Sequence, residues 1–114
     1  STYEVKGDVV IHPDAVIGAG CMLGPKVVVG KGCVVGEGVR IEGSTLLEGA
    51  HVKGHTLIKD SLVGWRSVIG GWSHIIGSVL GEEVVVDEGL LVRDSTVLPH
   101  KELFDSIRKE QIVI

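Results

Sequence analysis

No apolar run in this 114-residue chain approaches the roughly 18 to 20 residues that a membrane span requires. Ser1 to Lys6 also lacks the basic-then-apolar order of a secretory signal. Basic charge is not in excess: 11 Lys and Arg against 15 Asp and Glu leave a net charge of −4, mixed along the chain. No cationic patch of the kind that holds a phosphate backbone or an anionic lipid face is visible. The expectation is a soluble, cytoplasmic protein with no nucleic acid and no membrane among its partners. Cysteine is scarce, and Cys21 and Cys33 are expected to be buried thiols acting as small hydrophobes rather than a disulfide or a nucleophile. "GAGCMLGPK" and "VGKG" lack the GxxxxGK[ST] spacing of a phosphate loop. The chain also starts without methionine, which suggests a piece of a longer one.

What is abundant is glycine, 17 residues, in register with aliphatic side chains that help bring the apolar content to 44%. Ile11, Ile17, Leu23, Val29, Val35, Ile41 and Leu47 recur every six residues. Four positions after each stand mostly small residues: Ala15, Cys21, Val27, Cys33, Val39, Thr45 and then His51. Neither a helical period nor a simple alternation gives that spacing, and hexapeptide repeats mean a parallel β-helix. Residues i+4 and the next i lie two apart on one short strand, so both face inward while i+5 faces out. Three such strands per coil close a triangular prism, with glycine at the corners.

The register slips near "GAHVKGHT" and resumes at Leu57, Val63, Ile69 and Ile75, with Ser61, Ser67, Ser73 and Val79 as small partners. A second slip gives Leu80, Val86, Val92 and Leu98, with Val84, Leu90 and Thr96. The fold class is therefore all-β, a single-stranded parallel β-helix of about five coils over residues 1–98. Prisms of hexapeptide repeats that it resembles are left-handed, against the usual crossover preference. Beyond Pro99, Leu103, Phe104 and Ile107 stand at helical spacing, which predicts a short capping helix or tail over 99–114.

A prism this narrow has no internal cavity, so function must sit on faces, corners, ends or boundaries. The i+5 positions, including Val16, Met22, Val28, Val34, Leu46, Leu62, Val68, Val85, Leu91 and Val97, are too apolar for a solvated sheet. Part of this is β-propensity, and the remainder reads as an interaction surface. Trp65 and Trp72 fall at successive corners, where neither side chain can enter the prism, and are expected to anchor an interface. The candidate surface is thus Trp65, Trp72, Val16, Val28, Val34 and Leu46. The histidines at 12, 51, 55, 74 and 100 read as corner or surface residues. Two enzyme classes that resemble this fold do use histidine, hexapeptide acyltransferases as a base between subunits and γ-class carbonic anhydrases as zinc ligands. The spacing of His51, His55 and His74 makes a metal cluster worth weighing, but the arginine-and-aspartate pattern of the anhydrases is missing.

"VGW" at Val63 to Trp65, "GxW" at Gly70 to Trp72, "VLGE" at Val79 to Glu82 and "VLPHK" at Val97 to Lys101 come in that order. With "IHPDA" and "VGEGVR" before them, nearly the whole chain resembles the C-terminal domain of the GDP-mannose pyrophosphorylase (mannose-1-phosphate guanylyltransferase) family. The resemblance implies an upstream nucleotidyltransferase domain, absent from this chain, that carries the glycine-rich motif, GTP and Mg. It implies no catalytic, cofactor-binding or metal residue here. The partners it implies are that upstream catalytic domain and other pyrophosphorylase subunits in a homo- or hetero-oligomer. The tail "LPHKELFDSIRKEQIVI" is closer to the regulatory (alpha, A-type) subunit than to the catalytic one. The alternative, from another class, is a hexapeptide acyltransferase with its site between subunits.

Overall fold

A computed structural model describes residues 2–114, and its nineteen strands wind as a three-sided coil without any helix among the described residues. The first coil holds β1 (Glu4–Val5), β2 (Val9–Ile11) and β3 (Val16–Ile17). The second holds β4 (Met22–Leu23), β5 (Val27–Val29) and β6 (Val34–Val35), and the third β7 (Arg40–Glu42), β8 (Thr45–Leu46) and β9 (His51–Val52). In the fourth lie β10 (Leu57–Lys59), β11 (Leu62–Val63) and β12 (Val68–Ile69), and in the fifth β13 (His74–Ile76), β14 (Val79–Leu80) and β15 (Val85–Val86). The sixth contains β16 (Leu91–Arg93), β17 (Ser95–Val97) and β18 (Glu102–Leu103), and β19 (Gln111–Val113) opens a seventh. Every third strand stacks in parallel, which gives a first face of six strands from β1 to β16, a second of seven from β2 to β19, and a third of six from β3 to β18. The solenoid therefore has six full coils and one further strand, more than the five expected.

The coil length changes along the chain. Leu23 pairs with Ile41 eighteen residues on, whereas Ile41, Ile58, Ile75 and Val92 pair in steps of seventeen. The residue is lost at one corner, between the first and second faces, where Gly43-Ser44, Asp60-Ser61, Gly77-Ser78 and Asp94-Ser95 make the turn. Gly43, Asp60, Gly77 and Asp94 all have φ between 50° and 61°. Glycine enters that left-handed region freely and aspartate tolerates it better than most residues. The serines then point inward and hydrogen-bond as a column. Ser61 N–H donates to Ser44 Oγ at 3.0 Å, Ser78 N–H to Ser61 Oγ at 3.0 Å and Ser95 N–H to Ser78 Oγ at 3.1 Å. Each hydroxyl donates in turn to the carbonyl two residues before it. Among the described residues, hydroxyls are thereby admitted to the core without an unpaired group.

This five-residue corner corrects part of the expected register. Leu46 and Val97 are buried, not outward, while Thr45, His51, Leu57, Val79, Thr96 and Leu98 are turned away from the core. A slip of one residue sends a side chain to the other side of its strand, so each unrecognised short corner inverts its neighbours. The core that results is a stack of Ile41, Ile58, Ile75 and Val92 on the first face, Leu46, Val63, Leu80 and Val97 on the second, and Val35, Val52, Ile69 and Val86 on the third. Glycine after the aliphatic residue answers to a further demand besides turning. A Cβ on Gly18 would lie 2.7 Å from the Gly36 carbonyl carbon, and one on Gly36 would lie 2.7 Å from the Gly54 nitrogen. Stacked coils approach there too closely for any side chain.

The expected helix over 99–114 does not form. Leu103 lies six residues after Val97 and is buried as the next rung of the third face. Ile107 bridges Val92, exchanging hydrogen bonds with Arg93 N–H at 2.9 Å and the Leu91 carbonyl at 2.7 Å. β19 pairs with β17. An isolated helix of this length is marginal in water, whereas the last coil offers unpaired backbone groups to a strand.

Ser78→Ala leaves the buried Ser95 N–H without its acceptor and is expected to cost about 1–3 kcal/mol of folding free energy. Chemical denaturation of the variant measures it; an unchanged midpoint contradicts the role given to the column.

Candidate interaction surface

The corners set where large side chains stand. Trp65 lies between β11 and β12, and Trp72 between β12 and β13, with relative exposures of 47% and 66%. Both point away from the prism, as their positions require. Trp72 has φ of 61°, as does its counterpart one coil earlier, His55, at 62°. For a bulky residue that conformation carries strain of order 1 kcal/mol or more. Trp72 and His55 stack there, ring centroids 4.5 Å apart and planes inclined by 23°. Indole face and imidazole cover one another along the edge between the third and first faces, and much of the indole stays in water.

The remaining candidate residues separate. Val16 and Val34 are register partners on the third face, exposed, and Val28 stands exposed on the second. Leu46, expected with them, is fully buried beneath the second face. The six candidates thus occupy two faces, two edges and the core, and do not form one patch. Val10, Val79 and Ile112, which the hexapeptide register did not single out, share the second face with Val28 and are exposed. For Val79 the signal was the seventeen-residue recurrence of the "GS" and "DS" corners, which sets the residue after each serine outward, while Val10, one residue before Ile11, is outward in the six-residue register itself.

Titratable groups are dispersed. His51 is exposed on the third face, His55 on an edge and His74 on the first face. Among the described residues the three-residue group with metal-ligand spacing is instead Glu82, Glu83 and His100. Arg66 already supplies a cation there, its Nη2 paired with Glu82 and 3.8 Å from Glu83, while His100 Nδ1 lies 3.5 Å from Glu83. The Asp14 carboxyl is held below its ordinary pKa, chiefly by the Gly32 N–H that it accepts at 2.9 Å, with burial opposing and His12 and Lys31 adding to the effect. Cys21 and Cys33 are free and buried, their Sγ atoms 3.0 Å from the Gly36 carbonyl and 3.1 Å from the Leu47 carbonyl. Burial raises both thiol pKa values above the ordinary range, only partly offset by nearby backbone N–H groups.

The geometry defines a class first: a parallel β-solenoid of hexapeptide repeats, with a filled interior and its chemistry-bearing side chains on the outside. Solved structures share that fold. A hexapeptide transferase family protein from Anaplasma phagocytophilum superposes with a TM-score of 0.52 at 16% identity, covering 97% of this chain and 73% of that one. The acetyltransferase domain of PglB from Neisseria gonorrhoeae gives 0.50 at 20% identity over 95% of this chain and 52% of that one.

Sequence relatives are more specific. The family model described as the GMPPB C-terminal domain matches residues 5–113, and the chain belongs to that family. It is 48% identical over 113 residues to a mannose-1-phosphate guanyltransferase of Pichia angusta, covering 98% of this chain and 31% of that protein. Against the probable mannose-1-phosphate guanylyltransferase 1 of rice, Oryza sativa subsp. japonica, identity is 46% with 100% and 32% covered. Against the mannose-1-phosphate guanylyltransferase catalytic subunit beta of Danio rerio it is 46% with 95% and 30% covered. The chain spans about a third of the length of these relatives. No helix among the described residues is long and apolar enough to cross a membrane.

Both thiols are expected to resist alkylating and disulfide reagents in the folded protein and to react fully in denaturant. Because their folded pKa values are raised, their contribution to stability is complete below the ordinary thiol value of about 9 and is lost as pH rises through the folded values. Denaturation midpoints measured up an alkaline series check this; a midpoint that rises contradicts it.

Proposed function

We propose that this solenoid is the C-terminal assembly module of a mannose-1-phosphate guanylyltransferase, the enzyme that converts GTP and mannose 1-phosphate into GDP-mannose and diphosphate. The observation that carries the reading is the family match across residues 5–113. In this reading GTP and Mg are bound by an upstream catalytic domain, and the solenoid packs on that domain and joins it to other pyrophosphorylase subunits in the cytoplasm. The packed interior supports a role of this kind, since Leu, Ile and Val fill it and each buried hydroxyl is spent on backbone groups.

The zebrafish and fruit-fly relatives are catalytic beta subunits, which favours a catalytic parent over the regulatory type that the tail resembles. The acyltransferase alternative rests on a shared fold alone, at 16–20% identity. The two tryptophans are the anchors most suited to an interface, because large aromatic side chains at a rigid edge lose little entropy on binding.

The complete enzyme carrying this domain is expected to release diphosphate from GTP only when mannose 1-phosphate is present. The pair Trp65→Ala and Trp72→Ala is expected to weaken its assembly roughly tenfold or more, read by light scattering, with circular dichroism unchanged. Absence of nucleotidyl transfer by the enzyme and its complexes contradicts the reading; full assembly in the variant removes the tryptophans from it.

A further inference from the structure

One edge of the prism carries a stack of rings that stops short. At the corner between the third and first faces, Gly20, Gly38, His55, Trp72 and Gly89 occupy equivalent places on successive coils, each with φ between 61° and 76°. Side chains leave this column toward the coil before. A Cβ on Gly38 would lie 2.5 Å from His55 Nδ1, and the Trp72 indole covers His55 in turn. The opposite face of the indole looks toward Gly89, where a Cβ would meet nothing within 4 Å. The sixth coil does not roof this place. Val86 pairs with Leu103 seventeen residues on, whereas Val92 bridges Ile107 only fifteen on, so the chain cuts this corner by two residues. The hydrogen-bond ladder of the corner ends at the same point. The carbonyls of Ala19, Glu37, Gly54 and Gly71 each accept an N–H from the next coil. The Glu88 carbonyl, next in that column, has no backbone donor above it among the described residues.

We propose that this step is a docking site for an arginine side chain on a peptide segment of another protein, its guanidinium stacking on the open face of Trp72. The proposal goes beyond the assembly reading, and Trp65, on the edge between the second and third faces, takes no part in it. Three features select that ligand. The platform is an indole, the best cation–π partner among side chains, 66% exposed and already held from behind by His55. The charge is of one sign. Asp87, Glu88 and Asp105 are the charged residues of this corner in the fifth and sixth coils, all exposed, and none is ion-paired among the described residues. Lys53, two coils below, lines a groove with Asp87 and Glu88 on the third-face side but bonds to neither. Carboxylates so placed attract a cation and repel a ligand that carries phosphate. The hydrogen-bonding capacity fits as well. A guanidinium has five N–H donors in one plane and no acceptor, which suits carboxylates and an unpaired carbonyl while the plane lies on the ring. A lysine ammonium brings the charge without the plane.

Trp65→Phe leaves Trp72 as the sole tryptophan, so its fluorescence reports on this edge alone. Titration with the capped tripeptide Gly-Arg-Gly is expected to change that emission saturably, with a dissociation constant of about 1 mM. The lysine tripeptide is expected to bind about fivefold more weakly, and the citrulline tripeptide, which keeps the plane and loses the charge, about tenfold. Asp87→Asn with Glu88→Gln is expected to weaken the arginine tripeptide about tenfold, with the far-UV spectrum unchanged. Gly89→His fills the open place in the conformation that His55 already adopts, and is expected to abolish binding. Should that variant not fold, the carboxamide pair decides. Absence of a saturable change with the arginine tripeptide overturns the proposal, and so does equal binding of the citrulline tripeptide. Full binding by either folded variant places the ligand elsewhere and overturns it too. Guanosine monophosphate binding at Trp72 more tightly than the arginine tripeptide replaces a peptide with a nucleotide and overturns it as well.

Discussion

Each coil must place its corners directly over those of the coil before it, because the backbone groups at every corner bond to the neighbouring coil. Along the edge between the third and first faces, Gly38 N–H donates to the Ala19 carbonyl at 2.9 Å, His55 N–H to Glu37 at 2.8 Å and Trp72 N–H to Gly54 at 3.0 Å. The corner conformation is therefore repeated rather than chosen residue by residue. Gly20, Gly38, His55, Trp72 and Gly89 share a left-handed φ although only three are glycine. Stacking of Trp72 on His55 follows from that constraint, since each side chain leaves the same corner in the same direction and leans on the one below.

The same constraint fills the inside. With three inward columns held about 4.8 Å apart from coil to coil, aliphatic side chains occupy the centre, and small or hydroxyl-bearing ones occupy the positions after the corners. A serine there completes the hydrogen bonding that the tight corner disturbs, which is how Ser44, Ser61, Ser78 and Ser95 are accommodated at almost no exposure. Ser67 does the equivalent at a second corner, donating to the Gly81 carbonyl at 2.8 Å and accepting from Val84 N–H at 3.0 Å. Recognition is left to faces and edges.

Much of this was legible in the sequence. From Ile11 to Ile41 the six-residue register is unbroken, and the inward residues it names are the inward residues of the structure. After Ile41 the adjacent leucines 46 and 47 allow either to be taken as the core residue, and a six-residue step selects the wrong one. The serines held the answer, because Ser44, Ser61, Ser78 and Ser95 recur every seventeen residues behind a glycine or aspartate able to take positive φ. The helix expected at the C-terminus arose from Leu103, Phe104 and Ile107, whose spacing suits a helix as well as it suits a rung followed by the next small position. The unpaired edge of the last coil decides between them. Trp65 and Trp72 were legible as outward because a corner leaves an indole nowhere else to go.

A sealed, hydrogen-bonded interior that leaves recognition to the outer surface is the central claim, and native-state hydrogen exchange tests it most directly. The amides of Ser61, Ser78 and Ser95 donate to buried hydroxyls, so they are expected to exchange only through global unfolding, with the full stability of the domain. Exchange of these amides through local opening, while those on the outer ladders stay protected, would contradict a filled core.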